Sequence, residues 1–234
     1  MSSYQQFESA SAVEVLSWSI GTYGKAFAIA TSFQKEGMVV IDLATRIDPQ
    51  VRVFTLDTGR LPDETHFMMD KVRERYGVDI EVVRPDPAEV ARMVEAHGVN
   101  LFYDSLENRK LCCQVRKVRP LERKLAGLRA WATGLRREQT EDRAAAPKVQ
   151  QVDGRVKINP LADWTVAQVD QYIAAHGLIL HPLYAQGFGS IGCAPCTRAL
   201  EPGESERAGR WWWEQDNRKE CGIHISAAGV VRRA

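Results

Sequence analysis

The sequence predicts an α/β fold: a mostly parallel sheet with helices on both faces. Two observations carry this. Short apolar runs alternate with helical stretches as strand, helix, strand, helix, strand, helix from residue 27 to residue 97. Two polar loops, TSFQKEG and LDTGR, close the first two runs, where an open parallel sheet binds its ligands. A third feature marks the chain chemically. Its five cysteines fall as Cys112-Cys113, Cys193-Ala194-Pro195-Cys196 and a solitary Cys221.

The chain has 234 residues and a net charge of +1, enough for one full core and no global case for nucleic acid or membrane. The N-terminus lacks a basic stretch followed by an apolar run, and no apolar stretch reaches membrane-spanning length. The expectation is a cytoplasmic protein, where free thiols persist. No internal repeat is present.

Taken in order, residues 7–19 read as a helix with Val13, Leu16 and Trp18 among its apolar positions. Phe27-Ala28-Ile29-Ala30 is a buried first strand. The polar turn Thr31–Gly37 follows, and a helix begins at Met38. A strand, polar turn and helix in that order suit a phosphate, with Thr31 and Ser32 as hydroxyl donors. The same hydroxyls could simply cap the helix. Residues 51–56 form the second strand, which ends in Asp57-Thr58-Gly59-Arg60, a loop open to a binding or a turn-forming role. Pro62 opens a helix that Gly77 ends. Residues 79–83 are the third strand, and residues 87–97 a helix ending before Gly98.

Residues 106–126 read as one helix carrying both adjacent cysteines. At i,i+4 spacing Lys117 shares a face with Cys113, and Arg116 with Cys112. Residues 129–133 form a fourth strand that runs into GLRREQTEDR, whose arginines suit phosphate or sulfate, or a solvated loop. Residues 148–151 and 155–158 pair as a hairpin around Asp153-Gly154. Asp163 or Thr165 caps a helix to about Ala175. After Cys196 the chain turns polar, and residues 201–234 read as a tail that is mobile unless docked. It holds Cys221, with His224 three residues on as a candidate to activate that thiol.

Two cysteine pairs far apart suggest one four-thiolate site. Adjacent cysteines suit a cubane, where each thiolate takes a different iron, better than tetrahedral zinc, so [4Fe-4S] ranks first. Disulfides, a CxxC redox pair and plain buried thiols remain open readings.

The motifs TSFQKEG, LDTGR, CCQVRK, TGLRREQ, SIGCAPCTR and ECGIH together resemble the assimilatory adenylyl-sulfate reductases, relatives of the phosphoadenylyl-sulfate reductases. The resemblance runs from about residue 20 to residue 225. It implies an adenine-nucleotide α-hydrolase-like fold in residues 1–200 and a mobile C-terminal catalytic tail in residues 201–234. It implies a [4Fe-4S] cluster on Cys112, Cys113, Cys193 and Cys196, and a catalytic Cys221. Lys117, Arg207 and Arg210 match the family's basic residues near the phosphosulfate. Arg143 matches the arginine of the loop after the fourth strand. Thr31, Ser32, Glu36, Leu56 and Thr58 match the nucleotide pocket, together with Gly134. The implied reaction reduces adenosine 5′-phosphosulfate to sulfite and AMP through a thiosulfonate on Cys221, with thioredoxin or a glutaredoxin-like reductant as partner. The family also implies a homo-oligomer. Related members that take the 3′-phosphorylated substrate generally lack the cluster cysteines. A phosphoadenylyl-sulfate reductase, an ATP pyrophosphatase or adenylyltransferase, and a zinc-stabilised binding module are the rival readings.

Overall fold

The computed structural model describes residues 4–214 of the chain. Six strands form one sheet: β1 (Phe27–Thr31), β2 (Val53–Leu56), β3 (Ile80–Val83), β4 (Ala130–Ala132), β5 (Val149–Val152) and β6 (Arg155–Ile158). Their order is β3-β2-β1-β4-β6-β5. All neighbouring pairs are parallel except β5 with β6, the hairpin at the edge. Asp153 and Gly154 both take positive φ, 47° and 75°, the backbone a two-residue hairpin loop requires.

Side chains alternate across the sheet with period two. Phe27, Ile29, Val53, Ala130 and Ala132 face one buried cluster, while Ala28, Phe54 and Trp131 face another. The first face is covered by α1 (Ala12–Tyr23), α2 (Lys35–Ile47), α3 (Asp63–Tyr76) and, after the hairpin, a helix over Val166–His176. The second receives Leu121 and Leu125 of a helix over Arg119–Ala126. The helix Pro87–His97 (α4) turns Met93 toward a third cluster, which contains four cysteines. Among the described residues no helix is long and apolar enough to cross a membrane.

Local signals explain most boundaries. α1 starts later than its apolar pattern suggests because Ser11 and Glu14 form a reciprocal capping box, which fixes Ala12 as the first helical residue. Gly77 ends α3 in the left-handed region at φ 65°. Thr165, with Gln168, caps the helix after the hairpin. α2 begins at Lys35 rather than Met38, so the last three residues of the TSFQKEG stretch are helical.

The expected single helix over 106–126 is three segments. α5 (Leu106–Cys113) leads into a π-helical stretch, Gln114–Val118, which leads into α6 (Arg119–Ala126). Pro120 has no N–H to offer the Arg116 carbonyl, so the α-helical ladder cannot run unbroken through this point. A widened turn is one way to re-pair the backbone, and it changes which side chains share a face. The segment after Cys196 is docked as far as it is described. Thr197 bridges Arg210, Arg198 N–H donates to Gly209 O, and Trp211 N–H donates to Cys196 O.

Candidate active site

After β1 the chain runs on to β2 and β3 on one side, then returns to place β4 on the other. The crevice between the β1 and β4 ends is where such sheets bind ligands. A cavity of about 220 Å³ opens there. Thr31, Ser32 and Glu36 line it from the β1 turn, Leu56 and Thr58 from the β2 end, and Gly134 and Arg143 from the loop after β4. Lys117, Arg207 and Arg210 line the same cavity. Cys221 and His224 lie outside the described residues.

The β1 turn is tightly built. Phe33 is buried at φ 57°, a left-handed conformation unusual for a side chain of this size. That turn lets Thr31 Oγ1 accept from Phe33 N–H at 3.0 Å, leaving the hydroxyl proton available to a ligand. Two glycines allow close approach. A Cβ on Gly37 would sit 2.6 Å from Thr31 Oγ1, and one on Gly134 would sit 2.7 Å from Glu36 Cβ and 2.9 Å from Gly37 N. The β4 loop therefore rests directly on the first turn of α2.

Glu36 lines the cavity, yet its carboxylate is already matched. Arg136 donates to it from Nε at 2.8 Å, with Glu138 at 3.3 Å and Glu206 at 3.6 Å from the other guanidinium nitrogens. Arg136 is 1% exposed. Partial burial and the charge of Glu36 hold the Glu206 carboxyl above its ordinary value, against the pull of Arg136 and Arg207. Arg136 thus ties the β1 turn to the segment carrying Arg207. Arg143 donates to Gln139 Oε1 at 2.5 Å, within the same β4 loop.

A second cavity holds Cys112, Cys113, Cys193 and Cys196, all buried. The four thiols are free, so neither pair is a disulfide. Arg60, Arg109, Arg116 and Lys117 surround them. The π-helical stretch shifts the expected pairings. Arg109, one helical turn before Cys113, is its charge partner, whereas Lys117 hydrogen-bonds Cys193. Arg109 was legible as the i−4 neighbour of Cys113, a direction the forward reading from the cysteines passes over. Arg116 Nη1 donates to Thr58 O at 2.8 Å.

Thr58 joins the two cavities. Its Oγ1 accepts from Arg60 N–H at 3.2 Å and lies 3.2 Å from Cys193 Sγ, within hydrogen-bond reach of the sulfur. Burial opposes ionisation of Cys193, but Lys117, the Thr58 hydroxyl and Arg210 together outweigh it and lower the thiol's pKa. Burial and the neighbouring Cys193 push the Cys196 thiol up to about 12. Burial likewise raises Cys112, with Cys193 adding to it.

Among the described residues no three Cys, His, Asp or Glu side chains are grouped to hold a metal ion. Four separate buried thiols around one cavity instead fit a polynuclear group that takes one sulfur at each corner. Trp211 supports that fit. It is 1% exposed, lines this cavity, and its indole N–H has no hydrogen-bond partner among the described residues. A buried donor left unpaired is costly, and a sulfur-rich group would supply an acceptor. The guanidinium carbons of Arg109 and Arg210 lie 4.7 and 4.6 Å from the Trp211 ring centroid, which adds positive charge to the same wall.

Comparison with known proteins places this geometry. An adenosine 5′-phosphosulfate reductase of Burkholderia cepacia is 48% identical over 209 residues, covering 88% of this chain and 84% of the relative. One from Allochromatium vinosum is 47% identical over 217 residues, covering 92% and 84%. Among solved structures, phosphoadenylyl-sulfate reductase from Candida auris in its phosphate complex superposes with a TM-score of 0.68 at 28% identity, over 82% of this chain and 91% of that one. Candida glabrata FMN adenylyltransferase in complex with ATP has a TM-score of 0.56 at 13% identity, over 89% and 73%, and shares the fold alone. Residues 26–199 match the phosphoadenosine phosphosulfate reductase domain, and the chain belongs to that family.

Proposed function

We infer that the chain reduces adenosine 5′-phosphosulfate to sulfite and AMP in assimilatory sulfate reduction. The observation that carries this is Lys117. Among the described residues it alone lines both the nucleotide-side cavity and the cysteine cavity. Its ammonium can therefore face an anionic substrate on one side while bonded to Cys193 on the other. Identity of 48% to an adenosine 5′-phosphosulfate reductase, against 28% to a phosphoadenylyl-sulfate reductase, supports the unphosphorylated substrate.

In this reading Thr31, Ser32, Leu56, Thr58 and Gly134 form the nucleotide pocket, with Glu36 fixing its floor through Arg136. Arg143, Arg207, Arg210 and Lys117 hold the phosphosulfate and stabilise the charge of the departing phosphate. The Cys221 thiolate attacks the sulfuryl sulfur. The S–O bond breaks, AMP leaves with the electron pair, and a thiosulfonate remains on Cys221. A thiol of thioredoxin, or of a glutaredoxin-like reductant, then attacks Cys221 Sγ. Sulfite leaves and a mixed disulfide forms. His224 favours the thiolate or positions it. Held by Cys112, Cys113, Cys193 and Cys196, a [4Fe-4S] cluster would supply fixed charge beside the phosphosulfate. The proposal includes a cytoplasmic homo-oligomer with residues 201–234 as the catalytic segment.

The test is an anaerobic absorption spectrum with iron and sulfide analysis, beside sulfite release from both nucleotides. A brown protein with about four irons per chain, faster on adenosine 5′-phosphosulfate, is expected. A colourless zinc protein, or sulfite release at the normal rate by Cys221→Ser, overturns the reading.

A further inference from the structure

We propose that Gln34 is a positioning residue that sets the Ser32 hydroxyl as a donor to the bound phosphate while clamping the loop before Cys193 to the same turn. The proposal rests on the reading that this pocket holds the nucleotide phosphate.

Gln34 is the residue before α2, yet its side chain does not cap the helix. It reaches sideways. Its Oε1 lies 2.8 Å from Ile191 N and 3.5 Å from Ser190 Oγ, and its Nε2 lies 2.9 Å from Ser32 Oγ. The orientation of the amide follows from its partners. A backbone N–H can only donate, so the Gln34 oxygen must face Ile191. The amide nitrogen then faces Ser32, and that nitrogen can only donate. Ser32 Oγ is consequently an acceptor toward the protein, and its single proton is directed elsewhere. Ser32 is exposed at the cavity wall, so the group that takes this proton is the ligand.

Thr31 is set in the same sense by Phe33 N–H. An anion at the turn would meet two hydroxyls already oriented as donors, with no reorganisation needed on binding. The other end of the amide reaches further. Arg210 Nη1 lies 3.4 Å from Ser190 Oγ and 3.5 Å from Ile191 O, the two residues that Gln34 holds. One amide therefore ties the phosphate turn to the loop that carries Cys193 and rests beneath Arg210. Lysine or glutamate could satisfy one end of this link, but only an amide offers an acceptor and a donor in one plane.

The experiment is a double-mutant cycle on the intact protein, with AMP as the probe and adenosine as the control. Gln34→Met preserves volume and removes both hydrogen bonds. Ser32→Ala removes the hydroxyl. Each should weaken AMP binding about tenfold, as expected for a hydrogen bond to a charged group. The double variant should be no weaker than either single one, and adenosine affinity should stay within about twofold throughout. A merely structural role would lower AMP and adenosine affinity alike, and that outcome overturns the proposal. So do fully additive losses. Should Gln34→Met fail to fold, Gln34→Leu, which also removes both hydrogen bonds without adding charge, enters the same cycle. Sulfite release by the unaltered protein is measured in parallel. Its absence with normal AMP coupling would remove the functional reading and leave the role of Gln34 standing.

Discussion

The cysteines and two of the cations beside them, Arg116 and Lys117, were readable from spacing, but the pairing of each cation with its sulfur was readable only in part. Arg116 still acts on Cys112, the residue a regular helix pairs it with, but Lys117, expected beside Cys113, hydrogen-bonds Cys193 across a π-helical turn. Arg136 was invisible for a different reason. It sits in an arginine-rich stretch that suits phosphate, and only the folded chain shows it buried against Glu36. His181 shows what a lone histidine in a loop can conceal. Its Nδ1 accepts from Leu183 N–H at 3.3 Å, its Nε2 lies 3.0 Å from Thr65 Oγ1, and it is 1% exposed. Burial lowers its pKa from 6.5 to about 4, with Glu64 pulling weakly the other way. The unfolded chain binds this proton more readily than the folded one. The stability it contributes is complete above about pH 6.5 and is lost as pH falls toward 4, about 3 kcal/mol in all. Urea unfolding of His181→Gln between pH 7 and pH 4 should show a correspondingly flatter acid limb than the parent.

At the scale of elements, the alternating strands and helices through residue 97 and the edge hairpin were all legible. Period-two burial and strong punctuation at Gly77, Gly98 and Asp153-Gly154 account for that. The start of α2 was harder. Lys35, Glu36 and Gly37 are polar or small, so they read as loop, while the close contact between α2 and the β4 loop makes them helix. Gly134 is the element-level hinge of the site. An added methyl would meet the backbone of Gly37 as well as Glu36, and neither can swing aside. Gly134→Ala should therefore cost about 1–3 kcal/mol in urea unfolding and weaken AMP binding, since the two walls of the cavity would be pushed apart.

For the whole molecule, the sequence implied a parallel sheet and a ligand crevice but could not order the strands. The switch point became visible only when β4 was placed beside β1, opposite β2. A site assembled from the β1, β2 and β4 ends and from residues 190–210 should report ligand on global unfolding. AMP at a hundred times its dissociation constant should raise the unfolding free energy by about 2.7 kcal/mol, read from the shift of a urea transition. The ion pair of Arg109 with Glu214, at 2.7 and 3.0 Å, has a consequence of its own. It pins the chain beside the cysteine cavity seven residues before Cys221. Seven residues reach at most about 25 Å. Cys221, the nucleophile of the proposed reaction, is therefore on a leash whose stake is driven in at the edge of the site. Confined to that volume, its local concentration is on the order of millimolar or above, however dilute the protein. Cutting the stake with Glu214→Gln would lengthen the leash, not remove it.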